Sequence, residues 1–448
     1  MYQIYKTMKQ FFLILFTYCT FVANAQTPTT LGQSIDYTLK NHPSLKVFDN
    51  HVAIAQQKSN QSISDYLPQV SGTATWTDNL KLQTTILPAG IFSDKPTAVQ
   101  FGTKYTSNMG LDFNQTLFDQ TKIAGIKANK PYSEMTQLQR DQNRETLVFN
   151  TASAYFQVLI YREQLKILTS NQEKYQEMLK VLEFQLSKGT VLEKDVDRIK
   201  VNLNSTNYQI EDATTKEQLS INTLKNAMGM PLDQPLLVAD SANFELHAMG
   251  ITNSDFEVGN LVEARINEKS VELQEINLKS TQAAYLPSIS AVGKYGAQSL
   301  NNNFGDAFTG WKPYSYIGLS INVPVFSGFK RKSMVEEEKL NLKNDIANFN
   351  INNENLKLNY ENTKTSLGTS YSSFKSNRDN MALAEKLLGV TNYQYQQGAA
   401  SLTDYLNDDT AFKEAQSNYI NSLYNVMISQ LNYQKSRGNL LQFINQLN

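Results

Sequence analysis

The second half of the chain restates the first. Tyr66-Leu67-Pro68 recurs as Tyr285-Leu286-Pro287, Leu117-Phe118-Asp119-Gln120 as Val325-Phe326-Ser327-Gly328, Gly189 as Gly398, and Gly229 as Gly438. The last three pairs lie roughly 210 residues apart, whereas the first pair is separated by about ten more, so the first copy carries an insertion between its first two landmarks. Length differences of this kind collect in exposed loops. The constraint is strict: whatever one copy folds into, the other must fold into as well.

Each copy contains two short stretches with the period-two alternation of a strand that meets different surroundings on its two faces. Tyr105, Met109, Leu111, Phe113 and Leu117 share one face; Thr106, Asn108, Gly110, Asp112, Asn114 and Thr116 share the other. In the second copy the apolar face is Ile317, Leu319, Ile321, Val323 and Val325. Partner stretches run from Val70 to Leu82 and from Ile289 to Ala297. These lengths suit strands that cross a bilayer, with Trp76, Tyr105, Tyr295, Trp311, Tyr314 and Tyr316 expected at the interfaces. Half-buried strands of a soluble sandwich would alternate too. Four strands between very long helices, however, cannot close a sheet alone, and a barrel completed by other chains leaves no edge unpaired.

The rest of each copy reads as helix. A run of about 68 residues separates Phe118 from Gly189, and another separates Phe326 from Gly398, each roughly 100 Å at helical rise. Both runs turn at the glycine. Thr190 with Glu193, and Ser401 with Asp404, have capping-box spacing for the returning helices. The first returning helix carries a seam of Leu192, Val196, Ile199, Leu203, Thr206, Ile210 and Ala213; the second has Tyr405, Phe412, Ala415, Tyr419 and Val426. Segments Gln33 to Tyr66 and Gly259 to Ala284 are also helical, and stacked on the shorter returning helices they would match the long ones. The expected layout is a signal peptide at 1–25, a first repeat at 26–228, an equatorial linker at 229–258, a second repeat at 259–438 and a tail at 439–448.

Composition narrows the function. Among 448 residues the formal net charge is −1, and mean hydropathy is −0.42, which excludes a polytopic helical membrane protein. Lys and Arg are interleaved with Asp and Glu, so no basic stripe for nucleic acid forms. Lys6 and Lys9, the apolar run Phe11 to Ala23, and Ala23-Asn24-Ala25 read as a secretory signal. The single cysteine, Cys19, lies inside that run and is read as part of the signal rather than as a lipid anchor. Removing the signal removes thiol chemistry and disulfides. His42, His51 and His247 are the only histidines and have no carboxylate pair at metal spacing, so no metal site, cofactor or catalytic centre is expected.

These landmarks resemble the TolC outer-membrane efflux family over essentially the whole mature chain. Thr38-Leu39-Lys40-Asn41-His42-Pro43-Ser44-Leu45 is similar to that family's opening motif with His42 inserted before the proline, and the strand and turn landmarks match in order and spacing. The resemblance implies a fold that is mainly α with a transmembrane β-barrel: a homotrimer closes twelve strands into the barrel and continues as a twelve-helix periplasmic α-barrel. It implies a passive exit duct in the outer-membrane lipid, served by a periplasmic adaptor and an inner-membrane transporter. It also implies a gate at the tip, with Tyr395 at the gate tyrosine, Asp404 at the first acidic ring, Asn407 at the second ring position and Asp195 at the gate aspartate. The turns at Gly189, Thr190, Gly398 and Ser401 would meet the adaptor. Two positions depart from the family: Asn407 replaces an aspartate, and Ala400 replaces the gate arginine.

Plainer roles stand beside these. An acid at Asp404 caps a helix N-terminus, Asp195 suits a solvated helix face, and Tyr395 extends the heptad seam of Phe374, Met381 and Leu388. A different class of protein, a trimeric coiled-coil adhesin or spacer anchored by a barrel, would share the helices. It would not need each copy to run out and return.

Overall fold

The strand landmarks come together in one sheet. The computed structural model describes residues 28–90, 94–239 and 256–446, so the expected signal peptide with Cys19, and His247, lie outside the described residues. Two compact units are present: a strand unit of Asn50–Leu138 with Arg265–Asn352, and a helical unit from the described parts of Met1–Asp49, Gln139–Ala264 and Asn353–Asn448. In chain order the elements are α1 (Leu31–Asn41), α2 (Pro43–Ser64), β1 (Gln69–Asp78), β2 (Thr84–Leu87), β3 (Thr97–Gln100), β4 (Tyr105–Phe118) and α3 (Gln120–Ser187). There follow α4 (Glu193–Met228), α5 (Val262–Ala283), β5 (Ser288–Asn301), β6 (Lys312–Asn322), α6 (Lys330–Gln396), α7 (Leu402–Ser436) and α8 (Leu440–Gln446).

In the strand unit the sheet order is β1-β4-β5-β6, antiparallel throughout, so β1 and β6 are both open edges. Register sorts the two faces. Val70 lies opposite Phe113, Leu111 opposite Tyr295, and Ala291 opposite Leu319, which collects the apolar side chains on one face. That face is exposed, with Ile317 at 86% and Leu319 at 68%. The opposite face carries Thr73, Asp112 and Lys294, where Lys294 Nζ is 2.8 Å from Asp112 Oδ1 and Thr73 Oγ1 donates to Asp112 Oδ2 at 2.8 Å. The insertion of the first copy lies in the β1–β4 connection and folds as the β2–β3 hairpin.

Three strand expectations need correction. β1 ends at Asp78 rather than Leu82, β6 ends at Asn322 rather than Val325, and β5 runs on to Asn301. Pro324, which has no N–H to donate, follows the end of β6 closely. Of the expected interfacial aromatics, Trp76 and Tyr105 do stack at one end of the sheet, 6.1 Å apart, with Phe304 against both. Tyr295 instead sits mid-strand, and Tyr314 and Tyr316 pair with Gly296 and Lys294 on the polar face. Residue type suggested an interface for them; register decides the side.

The repeated Tyr-Leu-Pro and Leu-Phe landmarks are tied to each other. Asp119 N donates to Tyr66 Oη at 3.0 Å, and Asp119 Oδ1 accepts from Thr121 N at 2.9 Å, capping α3. In the second copy the Arg331 guanidinium lies 5.7 Å from the Tyr285 ring centre.

In the helical unit one buried core lies where α1, α3, α4, α7 and α8 meet. Leu31, Val148, Tyr155, Phe156, Leu224, Met228, Leu431 and Ile444 form one core, joined by Val238 from the linker. Tyr155 Oη donates to Ala239 O at 3.0 Å, and a parallel bridge joins Thr29 to Val238, so the start of the 229–258 segment and the tail both pack into this core. Its remainder, 240–255, lies outside the described residues. The segment expected as one helix from Gln33 to Tyr66 is two. His42 is extended, φ −63° and ψ 127°, because the ring of Pro43 excludes helical backbone at the residue before it. His42 Nδ1 accepts from Ser44 N at 3.2 Å, so this histidine shapes the break.

Gly229 closes α4 with φ 69° and seats on that break: an added Cβ would lie 2.8 Å from Pro43 Cδ and 2.9 Å from His42 Cα. Gly189 has φ 73° and open space around it. Gly189→Ala should therefore cost only the left-handed penalty of about 1 kcal/mol, and Gly229→Ala that penalty plus about 1–3 kcal/mol of overpacking. Thermal melting of the two variants checks this, with the larger drop expected for Gly229→Ala.

Candidate functional site

The two hairpin turns and the four helix ends beside them bring together the residues singled out at the tip, all within the helical unit. Both turns close in the same way. Gly189 N donates to Leu186 O at 2.9 Å and Thr190 N to Gln185 O at 3.0 Å; Gly398 N donates to Tyr395 O at 2.9 Å and Ala399 N to Gln394 O at 2.8 Å. These are paired 6→1 and 5→2 bonds around a left-handed glycine, which satisfy the last carbonyls of α3 and α6.

The capping boxes differ. Ser401 and Asp404 form one: Asp404 N donates to Ser401 Oγ at 3.1 Å and Ser401 N to Asp404 Oδ2 at 3.0 Å. The Ser401 hydroxyl, which donates to Asp404 Oδ2 at 2.7 Å, and then the Ser401 N–H hold the exposed Asp404 carboxyl below its ordinary pKa, so it is ionised at neutral pH. Thr190 and Glu193 do not form one. The cap of α4 is Leu192, without a side-chain bond, while Thr190 Oγ1 donates back to Gln185 O at 3.0 Å. Thr190 is held by the end of α3, too early to cap α4. Leu192 accordingly leaves the seam and is 60% exposed.

Below the turns a compact core holds Tyr175, Leu182, Val196, Ile199, Leu388, Leu402, Tyr405 and Phe412, with Met381, Leu203 and Tyr395 packed against it. Tyr395 thus does extend the seam. Its ring centre lies 6.2 Å from that of Tyr405, and burial, then the nearby Asp195 charge, raises its phenol pKa. Tyr395 and Asp195 are therefore neighbours. Asn407 is exposed and belongs to no buried cluster.

Several tip residues escaped the sequence reading. Arg198 Nη1 lies 3.7 Å from Asp195 Oδ1 and donates to Thr403 Oγ1 at 3.2 Å, so α4 does supply an arginine although position 400 does not. Deeper in, Tyr175 of α3 donates to Asp409 of α7, and Lys413 Nζ lies 2.6 Å from Tyr175 Oη and 3.3 Å from Asp409 Oδ2. Asp409 is 6% exposed and Tyr175 1%. One turn further, Asn171 Nδ2 donates to Gln416 Oε1 at 2.9 Å. These bonds tie the outgoing helix of the first copy to the returning helix of the second. A signal was present: Leu402, Tyr405, Asp409, Phe412 and Gln416 follow the spacing of a buried stripe, and an acid within it calls for a partner. Among the described residues no group of three or more His, Cys, Asp or Glu is placed to hold a metal ion.

An exposed apolar strand face in one unit and two long helical hairpins in the other fit one class, the outer-membrane channels. The chain belongs to the outer membrane efflux protein family, whose pattern matches residues 34–230 and 262–439. It is 21% identical over 354 residues to outer membrane protein TolC of Escherichia coli (strain K12), covering 75% of this chain and 70% of that one. The crystal structure of VceC from Vibrio cholerae superposes with a TM-score of 0.72 at 16% identity, covering 91% of this chain and 96% of that one. The Campylobacter jejuni CmeC outer membrane channel superposes with a TM-score of 0.73 at 18% identity, covering 92% and 86%. The fold is theirs.

The buried phenols carry a pH signature. Burial, then the Asp409 charge, raises Tyr405 from 10.0 to about 12 and raises Tyr175 as well. A pKa raised on folding gives stability that is full below the unfolded value of 10.0 and is lost as pH climbs through the folded one. Melting temperature should fall between pH 10 and 12, less steeply in Tyr405→Phe. Asp409→Ala, which removes the acceptor of the Tyr175 hydroxyl and the charge partner of Lys413, should cost about 1–3 kcal/mol at neutral pH.

Proposed function

We propose that three copies of this chain assemble into an exit duct that passively conducts substrates from an inner-membrane transporter, through a periplasmic adaptor, to the outside. The observation that carries this reading is the four-stranded sheet with an exposed apolar face and two open edges. Lipid offers nothing to hydrogen-bond an edge, so such a sheet has to be closed by further strands, and further copies of the chain supply them. With three copies the barrel has twelve strands and the helices make a twelve-helix periplasmic tunnel. The polar face, with the paired Lys294 and Asp112, lines the lumen.

In this reading each chain is an internal duplication of 26–228 and 259–438 behind a signal peptide, with 229–258 and the tail 439–448 around the middle of the tunnel. The tip closes the duct. Asp404 and Asn407 ring the aperture, while Tyr395 and Asp195 hold neighbouring helices together. Arg198 and the buried Tyr175–Asp409–Lys413 group take over the closing role of the arginine missing at position 400. The exposed turns at Gly189, Thr190, Gly398 and Ser401 meet the adaptor. The duct carries no catalytic group and no cofactor.

Capping and ring roles of Asp404 are compatible, since Ser401 engages only one of its oxygens. Three ionised carboxylates around one axis attract multivalent cations. Purified protein in a planar bilayer should conduct cation-selective current that a trivalent cation added at the tip side blocks, and Asp404→Ala should weaken the block by about tenfold or more. Absence of current from the wild type under all conditions would contradict the conduit and favour a spacer.

A further inference from the structure

The two strand-to-helix junctions of the strand unit are built from different chemistry, although they occupy equivalent places in the two copies. The first is compact and acidic at its corner, where Asp119 caps α3. The second, residues 323–332, carries Val325, Phe326 and Phe329, which are 89%, 74% and 70% exposed. Phe326 and Phe329 meet edge to face with ring centres 5.7 Å apart. Phe329 takes φ 64°, a left-handed backbone that bulky side chains avoid.

Three cations follow at once, Lys330, Arg331 and Lys332, with no acid in the first turn of α6. They do nothing for the helix itself, because a cation at a helix N-terminus opposes the macrodipole. Arg331 is used internally: Nη1 donates to Pro324 O at 2.9 Å, which holds the corner while its plane covers Tyr285. Lys330 and Lys332 are exposed. Acids begin only a turn further on: Glu336 lies 2.8 Å from Lys339, with Lys332 also near it, and Glu338 accepts from Gln274 at 2.6 Å. Along this junction the order is therefore apolar, cationic, then acidic. The apolar part continues the exposed face of β6 through Ile317, Leu319, Ile321, Val323 and Val325.

We infer that this junction is a lipid anchor: Val325, Phe326 and Phe329 enter the periplasmic leaflet of the outer membrane, and Lys330 and Lys332 bind the headgroup phosphates of anionic phospholipid. Aromatic rings and basic side chains sort to that depth for separate reasons, the rings for partly apolar contact and the amines for phosphate charge. At the first junction the cation, Lys122, is drawn inward, its Nζ donating to Thr116 Oγ1 at 2.8 Å and to Asp65 O at 3.2 Å, so each protomer carries one such anchor. The inference rests on the membrane placement of the sheet, and its test keeps the two apart.

Two single-tryptophan proteins are reconstituted into phosphatidylcholine vesicles containing a minority of acyl-brominated phosphatidylglycerol. One keeps Trp76 on the apolar face of β1 (with Trp311→Phe); the other carries Phe329→Trp (with Trp76→Phe and Trp311→Phe). Brominated phosphatidylcholine in parallel vesicles gives the reference for lipid contact. The anchor is supported if tryptophan at 329 is quenched by brominated phosphatidylglycerol at least twofold more than its mole fraction explains, and if Lys330→Gln with Lys332→Gln, or high salt, returns quenching to the mole-fraction value. Quenching of Trp76 but not of tryptophan at 329 overturns the anchor and leaves the membrane placement intact. Equal quenching by both lipids overturns the phosphate preference, and loss of quenching at Trp76 as well overturns the membrane placement itself.

Discussion

Everything in this molecule follows from two rows of backbone hydrogen-bonding groups that the chain cannot satisfy for itself. β1 and β6 are edges, and the face between them is apolar and exposed. In water such edges invite aggregation; in lipid they are forbidden. In the proposed assembly, copies of the chain close the sheet and solve both problems at once.

The helices meet a second constraint, which is to end cleanly after very long runs. α3 has 68 residues and α6 has 67, far beyond a common helix, and both stop at a left-handed glycine. Gly229 and Gly438 stop the returning helices by the same pattern of bonds. Gly229 has a further task, because it admits the His42–Pro43 break against the end of α4. The polar bonds between hairpins lie lower, at Arg198, Tyr175, Asp409 and Lys413. A buried charged group adds little net stability against an apolar alternative; what it can add is a preferred register between the helices it joins.

Much of this was legible in the sequence, since most landmarks occur twice and each reading has a second trial. The long helices, the turn glycines, the apolar strand faces and the box of Ser401 with Asp404 are local patterns, and the structure has them. What failed to show was non-local or lay one step off a local rule. Tyr314 and Tyr316 look like interface aromatics until pairing with Lys294 puts Tyr316 on the polar face. Thr190 has the right spacing to cap a helix but is already held by the carbonyl of Gln185. Tyr175 and Asp409 meet across two helices that the chain separates by most of the second copy. The helical break at His42 has a local cause in Pro43, but the helical periodicity on both sides of it masks the break.

Whether the sheet edges close on copies of the same chain can be measured directly. The sequence has no cysteine outside Cys19, so pairs of cysteines can be placed along the open edges, one on β1 and one on β6, at residues of the apolar face such as Gly72 and Leu319 with their neighbours on that face. Oxidation of the membrane-inserted protein should give, for the pairs in register, a covalent ring that migrates as three chains and returns to one on reduction. If no pair along the two edges links neighbouring chains while the protein remains folded and inserted, the sheet is not closed by its own copies, and the account of the duct is wrong.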